Sequence, residues 1–209
     1  KSLTTEEIRL NEYLEELGYE VWETDLGEFI VQLAKSRPMH YVTPSLHISI
    51  DKVAELFSRL AGRRIPVDVN ELVLFAREFL REKFFRADVG ITGANVIAAE
   101  TGSIFLVENE GNQRLVTSIP AKHVVVAGVD KVVPSAREAT EVAVATAMFG
   151  IGTVSSSYIS LIQGPSSTAD IELETVKGMH GPREVYVVLV DNGRTKAVRE
   201  GFGEVLYCI

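Results

Sequence analysis

One carboxylate in the sequence stands where an ionisable side chain is unusual. Glu100 lies in AAETGSIFLV, between small residues and a β-forming run that predicts a buried strand. Two interpretations are open. The carboxylate accepts backbone N–H groups of the following turn, or it acts as a nucleophile or general acid–base whose pKa is raised by an apolar surround. His180, in the glycine-flanked stretch GMHGP, is a candidate proton carrier, with a hydrogen-bonded turn residue as the alternative.

Three polar loops carry the candidates for ligand binding, because ligands of open α/β sheets bind beyond the strand ends. These candidates are Asn95, Thr101 and Gly102 in the first loop, Arg114 in the second, and Gly164, Ser166, Ser167, Thr168 and Asp170 in the third. The hydroxyls and N–H groups of the third loop can hold a phosphate or carboxylate, particularly if a helix begins at Ser167 or Thr168. The alternative, which spacing alone favours, is a simple helix cap with Asp170 in the first turn.

Other patterns exclude several familiar chemistries. His40 and His47 are seven residues apart without a nearby cysteine, which is not a zinc pattern, and both are predicted to be loop residues. The carboxylates of ETDLGE (23–28) form a strand end and a helix cap, or hold a cation. The sequence has no P-loop, no complete dinucleotide fingerprint and no GxSxG motif. Standard hydride transfer and phosphoryl transfer are therefore not expected.

Composition points to a globular protein with an ordinary acidic balance. The 209 residues are 46% hydrophobic and 24% charged, with a net charge of −8 and a pI near 5.1. We expect a cytoplasmic protein that has no membrane span, because no apolar run is long enough, and that does not bind nucleic acid. Cys208 is the single cysteine, so no internal disulfide can form. Both ends look cut, which predicts a fragment of a longer protein.

The elements that must position these groups fall into two regions. In the N-terminal region, capping boxes at Thr4 and Asp68 and helical periodicity predict helices, with YEVWE and HYVTP as short strands. After Ala87, the chain is rich in β-forming runs, and Ser135 begins a buried helix that extends to about Phe149. These strand runs are VGIT, SIFLV, RLVTSI, HVVVAGV, YISLI and EVYVVLV, with NEGN as a hairpin turn. The predicted fold class is α/β, with a mixed, mainly parallel sheet flanked by helices.

Several long motifs, in order along the chain, together resemble a known family. These motifs are ETDLGEFIVQL, ADVGITGANVIAAETGSIFLVENEGNQRLVT, VDKVVP, GPSSTADIE and GMHGPREVYVVLVDNGR. They are similar to the LUD (lactate-utilisation) domain, and more narrowly to the LUD-containing iron–sulfur proteins of bacterial lactate-utilisation operons. The resemblance implies a fold similar to the CoA-transferase and ribose-phosphate-isomerase group. It also implies a role, with partner subunits, in oxidising L-lactate to pyruvate.

The resemblance further implies a domain plan and a cofactor. Residues 1–196 would form the LUD domain, with a helix-rich part at 1–86 and a sheet core at 87–196. Residues 197–209 would begin the linker to a ferredoxin-like module that binds [4Fe–4S] clusters, where Cys208 matches the first cluster ligand. No cofactor is expected in this fragment, since one thiol cannot supply four ligands. The ETG at Glu100 is similar to the glutamate turn of CoA-transferases, which have E-N-G there.

Three hypotheses follow for the domain itself. In the first, it binds a small organic anion, or a CoA- or nucleotide-like ligand, or it docks a partner subunit. In the second, it is an acyl-transfer or isomerase enzyme using Glu100 and His180. In the third, the polar loops only pack between subunits, and a homo-oligomer is possible. The first two predict that Glu100, the Ser166–Asp170 segment and His180 share one concave corner at the end of the sheet.

Overall fold

Helices make up the N-terminal part of the chain. The computed structural model describes residues 2–40, 43–150 and 156–207. The first five helices are α1 (Leu3–Glu7), α2 (Leu10–Glu16), α3 (Leu26–Ala34), α4 (Ile50–Ala61) and α5 (Val69–Arg86). Helices α3, α4 and α5 bury a shared apolar core around Phe29 and Phe57, both fully buried. The ring planes of Phe29 and Phe79 stack at 5.6 Å between centroids, so this core is closely packed.

Local capping explains where three of these helices begin. The carboxylates of Asp25 and Asp68 and the hydroxyl of Ser49 each accept N–H groups of the first turn that follows. The predicted cap at Asp68 is confirmed. The capping box at Thr4 is wrong, because Thr4 lies buried inside α1 and the N-cap residue Ser2 makes no side-chain cap bond. Because Asp25 is a cap, the helix-cap interpretation of ETDLGE agrees with the structure.

The short strand predicted at YEVWE is not present, and the centre of the strand predicted at HYVTP, Tyr41 and Val42, lies outside the described residues. YEVWE, residues 19–23, joins no sheet and is held by the side chain of Gln32. The Gln32 amide donates to Val21 O at 2.9 Å and its Oε1 accepts from Glu23 N at 3.1 Å. The described part of HYVTP is a turn region. These two hydrogen bonds to the Gln32 side chain take the place of the backbone pairing that a strand would have made.

The remaining elements build two packed sheets. Their bounds are β1 (Val89–Thr92), β2 (Val96–Ala98), β3 (Ser103–Glu108), α6 (Asn112–Ser118), β4 (Lys122–Gly128), β5 (Val132–Val133), α7 (Ala136–Gly150), β6 (Tyr158–Ile162), β7 (Ser167–Thr168), β8 (Val176–Lys177), β9 (Glu184–Val190) and α8 (Arg194–Arg199). One sheet is parallel, in the order β1-β4-β9, and the other is mixed, in the order β5-β2-β3-β6. A small antiparallel pair, β7-β8, lies apart from both.

Apolar contacts between the sheets and α7 organise these layers. Ile97, Ile104 and Leu106 of the mixed sheet pack against Val125 and Ala127 of β4. On the other side of the mixed sheet lies α7, whose small buried side chains are Ala139, Ala143 and Ala147. The predicted α/β class, with a mainly parallel sheet flanked by helices, is confirmed. The helix at Ser135 is confirmed as well, although its far side is exposed at Val144, Met148 and Phe149.

The predicted hairpin at NEGN is wrong, and so is the strand at RLVTSI. Helix α6 begins there, after Gly111 with φ +83°, a left-handed conformation that glycine adopts without strain. The buried Glu108 carboxylate accepts the N–H groups of Gln113 at 2.8 Å and Arg114 at 3.0 Å, so the preceding strand caps the helix. The antiparallel hairpin is instead the β2–β3 pair, with its turn at residues 99–102.

Candidate functional site

Glu100 lies in the exposed β2–β3 turn and contacts the first residue of α7. Its Oε1 accepts from Ala136 N at 2.7 Å, and its own N–H donates to Pro134 O at 3.1 Å. The carboxylate therefore stabilises a helix N-terminus, where a negative charge interacts favourably with the helix dipole. The apolar surround that the catalytic interpretation assumed is not observed, because Glu100 is exposed. Glu100 is a backbone acceptor, as the structural interpretation proposed, but it accepts from the first residue of α7 rather than from its own turn.

The pairing of β3 with β6 brings the first and third loops together. The amide of Gln163 donates to Thr101 O at 3.3 Å, and Gly102 turns the chain with φ +68°. The Thr101 and Ser103 hydroxyls are 2.8 Å apart and hydrogen bonded. Gly164 follows Gln163 directly, so it lies at the same end of the mixed sheet as Thr101 and Gly102.

Ser166 is in contact with the segment that carries His180. Its N–H donates to Pro182 O at 3.0 Å, and its carbonyl accepts from Gly178 N at 2.9 Å. His180 is exposed beside this contact. No helix begins at Ser167 or Thr168: both lie in β7, paired with β8, so neither the helix-terminal anion site nor the helix cap exists.

The other two ligand candidates lie at the opposite end of β3. Asn95 Oδ1 accepts from Val107 N at 2.9 Å, which extends the pairing with β3 beyond the beginning of β2. The Arg114 guanidinium stacks 4.5 Å above the ring of Tyr158. Six residues of strand span about 20 Å, so this end is separate from the Gly102 end. Cys208 lies outside the described residues.

In the third loop, the Thr168 hydroxyl donates to the Asp170 carboxylate at 3.0 Å.

The carboxyl ends of the parallel strands hold a charged cluster that sequence patterns did not identify. Arg194, which begins α8, donates to Asp130 after β4 and to Glu7 of α1, the latter at 2.9 Å. Its side chain is 12% exposed and that of Asp130 is 8% exposed. The Glu7 carboxylate, assisted by Asp130, raises the pKa of Arg194 although burial opposes this. A Cβ on Gly128 would overlap both Asp130 and Arg194, so the backbone must approach them closely.

A cavity of about 380 Å³ opens beside this cluster. It is lined by Val129, Asp130, Arg194, Thr195, Val198, Arg199 and Leu206. Arg194 is engaged by two carboxylates, whereas Arg199 makes no ion pair with another described residue. The walls therefore combine a short apolar surface with one available guanidinium, at the edge where α/β sheets bind ligands. Asp130 and Arg194 fall within the family motifs VDKVVP and GMHGPREVYVVLVDNGR, but neither was a site candidate.

A larger cavity, of about 640 Å³, lies between α2, the end of α5 and β1. Leu14, Leu17, Phe84 and Ile91 contribute apolar walls. Its ionisable lining is Glu20, Glu23, Asp88, Lys83 and Arg86, and Lys83 is paired with Glu20 at 2.5 Å. Carboxylates exceed cations in this lining, so the cavity does not favour a small organic anion.

One buried histidine also escaped the sequence analysis. His123 on β4 is fully buried, its Nε2 is 2.8 Å from the Thr92 hydroxyl, and its Nδ1 has no hydrogen-bond partner in the described structure. Burial lowers the pKa of His123 to about 4. The ring is therefore neutral at physiological pH. An isolated histidine in a strand carries no motif, so no spacing signals it.

Neither a metal cluster nor a membrane helix is found in the part of the chain that is described. No group of three His, Cys, Asp or Glu side chains in it could hold a metal ion. None of its helices has the length and apolar character needed to cross a bilayer. A [4Fe–4S] cluster does not fit this chain, because its one cysteine cannot supply four thiolates.

Comparison with known proteins agrees with the sequence motifs. The model of the LUD domain matches residues 5–190. Proteins named Lactate utilization protein B from Bacillus licheniformis, Shouchella clausii and Bacillus subtilis are 42%, 41% and 40% identical over 210 residues. The matches cover the whole chain but 42% of each relative.

One solved structure also matches part of the chain. It is the crystal structure of a DUF162 family protein from Deinococcus radiodurans, 28% identical over 52% of this chain and 57% of its own. Its TM-score of 0.35 is too low for an argument about the fold. The family match and the relatives suffice: the chain belongs to the LUD domain family.

Proposed function

We propose that this chain is the LUD domain of an iron–sulfur protein that acts, with partner subunits, in the oxidation of L-lactate to pyruvate. The relatives named Lactate utilization protein B support the lactate role, and they are more than twice as long as this chain. The cluster would be bound outside the described residues, with Cys208 as a candidate first ligand. The protein would act in the cytoplasm.

Within that role, the domain binds a small carboxylate, of the size of lactate or pyruvate, at the carboxyl end of the parallel sheet. The observation that carries this proposal is the cavity beside Arg194 and Arg199. Asp130 and Glu7 hold Arg194 in place as a rigid wall. Arg199, without a carboxylate partner of its own among the described side chains, supplies the charge that a ligand carboxylate needs. Val129, Val198 and Leu206 match a short aliphatic group.

Calorimetric titration tests this site. L-lactate and pyruvate should release heat on binding to the purified chain, and Arg199→Gln should weaken binding about tenfold or more because it removes a charge-assisted bond. Arg137→Gln is the matched control, since Arg137 is a solvent-exposed arginine on α7, ion-paired with Glu141. Absence of binding to either carboxylate, or unchanged affinity in Arg199→Gln, would contradict the proposal.

The corner that contains Thr101, Gly102, Gly164 and Ser166 is the second candidate site. The Gln163–Thr101 contact supports it, because it joins two of the predicted loops at one end of the mixed sheet. There, a CoA- or nucleotide-like ligand would meet Glu100 and His180 as nucleophile and proton carrier. Titration with CoA is the first measurement, and Glu100→Gln is the informative variant, since it retains an acceptor for Ala136 N. Acyl-transfer activity that survives Glu100→Gln would refute catalysis by Glu100.

A further inference from the structure

Strand β9 is an apolar strand at the edge of the parallel sheet, and residues on both its faces are exposed, although Val185 packs against the core between the two sheets. Tyr186, Val187, Val188 and Leu189 are 49%, 44%, 46% and 48% exposed. The register with β4 sets Val187 and Leu189 on one face and Tyr186 and Val188 on the other. Such continuous apolar strands are normally covered on both faces. The exposure therefore indicates a surface that is covered in the assembled protein.

The outer edge of β9 is also free to form hydrogen bonds. Within the described structure, Glu184–Val190 makes no backbone hydrogen bond outside its ladder to β4. The strand contains no proline and no lysine, which are the usual devices that prevent edge pairing. The strand at the opposite edge, β1, is not open in the same way. Residues of α2 and of the 19–24 segment lie near it, around a shared cavity.

We propose that β9 is the dimer interface of this protein, and that a second copy of the chain adds its own β9 antiparallel across a two-fold axis at Val187. Antiparallel pairing satisfies both open edges at once and closes the assembly as a dimer. Parallel addition would leave a new edge each time. The result is one six-stranded sheet that runs through both copies.

Charge and geometry select this register. In a two-fold antiparallel pair, the axis must pass through a residue position, because facing residues have the same hydrogen-bonding direction. With the axis at Val187, Val185 faces Leu189 of the second copy, and the two residues that flank β9, Arg183 and Asp191, come opposite each other twice, one position beyond the ends of the strand. The Asp191 carboxylate also accepts the N–H groups of Gly193 and Thr195 in its own copy. An axis at Tyr186 would place Arg183 opposite Leu189, and one at Val188 would place Asp191 opposite Val185. Opposite charges in facing positions stabilise a strand pair.

Apolar side chains after β9 are exposed as well. Val198 of α8 and Phe202 and Val205 beyond it are all exposed. Because the strands run antiparallel, the carboxyl end of one β9 lies beside the amino end of the other. The segment that follows β9 in one copy therefore begins beside the amino end of the other β9.

Sedimentation equilibrium of the purified chain, over micromolar to submillimolar concentrations, tests the interface. The chain should be a dimer, and Val187→Lys should make it monomeric while its circular dichroism is unchanged. Arg183→Glu should weaken the dimer about tenfold, because two attractive pairs become repulsive. Arg183→Lys keeps the charge and should keep the dimer. Arg137→Glu, a charge reversal on α7, is the control and should have no effect.

Hydrogen exchange separates this interface from other ways of covering β9. The outward amides of Glu184–Val190 should exchange slowly in the dimer and rapidly after dilution to monomer. A chain that stays monomeric at the highest concentration overturns the proposal. So does a dimer that is insensitive to both Val187→Lys and Arg183→Glu. Protection of these amides in a monomer would show that another part of the protein covers the strand, which also overturns it.

Discussion

The buried His123 should make the fold sensitive to acid, and the magnitude follows from its pKa. Folding lowers that pKa from 6.5 to about 4, because burial disfavours the charged ring. Between these two pH values, the unfolded chain binds more protons than the folded one, so stability falls as the pH falls. The full difference, at about 1.36 kcal/mol per pH unit, is about 3 kcal/mol, and it is reached below pH 4. At pH 5, the expected loss relative to pH 7.5 is about 2 kcal/mol.

Urea unfolding followed by circular dichroism, at pH 7.5, 6 and 5, measures this contribution. Carboxylates also titrate in this range, so the informative quantity is the difference between the wild type and His123→Gln. Glutamine can still hydrogen bond to Thr92 but does not titrate, and its stability should fall by about 2 kcal/mol less between pH 7.5 and 5. His180→Gln, at an exposed position, is the control and should follow the wild-type curve. Equal losses in His123→Gln and wild type would refute the reasoning.

Three further substitutions test contacts that hold the site regions together. Each cost below is a loss in the free energy of unfolding, measured by chemical denaturation. Glu108→Ala should cost about 2 kcal/mol, because the Gln113 and Arg114 amides lose their acceptor, and Glu108→Gln should cost less; equal costs would contradict the capping role. Arg194→Ala should cost about 2 kcal/mol, because the buried Asp130 then keeps only the more exposed Lys131 as an ion-pair partner, whereas the control Arg137→Ala should stay within about 0.5 kcal/mol. Gly128→Ala should cost about 2 kcal/mol or more from overlap with Asp130 and Arg194, while Gly150→Ala, where a Cβ makes only an ordinary contact with Thr146 among the described residues, should be neutral or stabilising. A tolerated Gly128→Ala would show that the Arg194 cluster is not rigid.

Elements with strong local signals were predictable from the sequence. Asp68 caps α5, Gly62 ends α4 with φ +64°, and Ser135 caps α7 through Glu138 N. Caps and helical periodicity depend on residues within a few positions of each other, so the chain carries them before it folds. The β-forming runs after Ala87 were equally clear, with the exception of RLVTSI.

That exception shows why local patterns fail. The β-branched residues of RLVTSI favour a strand, but the Glu108 carboxylate provides two acceptors at the point where α6 begins. Close packing of β1 then fixes the helix, since a Cβ on Gly90 would overlap Val116 O. Tertiary contacts thus override a propensity of a few tenths of a kcal/mol per residue. Local spacing also favoured a helix start at Ser167 or Thr168. Both residues lie in the β7–β8 strand pair instead.

For the site, sequence motifs located the loops but not the groups that meet. They identified the loops at Thr101 and Gly164, which one hydrogen bond from Gln163 connects. They missed Arg194 and its partners Glu7 and Asp130, which come from three distant segments. Arg194 has no distinctive local pattern, and it can be recognised only once folding brings the carboxylates of Asp130 and Glu7 to it.

The sequence by itself determined the family, the α/β class and most helix boundaries, because long ordered motifs, periodicity and caps are written along the chain. Only the tertiary structure decided that Glu100 is exposed at the start of α7, that His123 is buried and neutral, and that Arg194 forms the wall of a cavity. The physical reason is that burial and charge pairing depend on distances through space. Those distances are set when the strands take their order in the sheet, and no spacing along the chain encodes them.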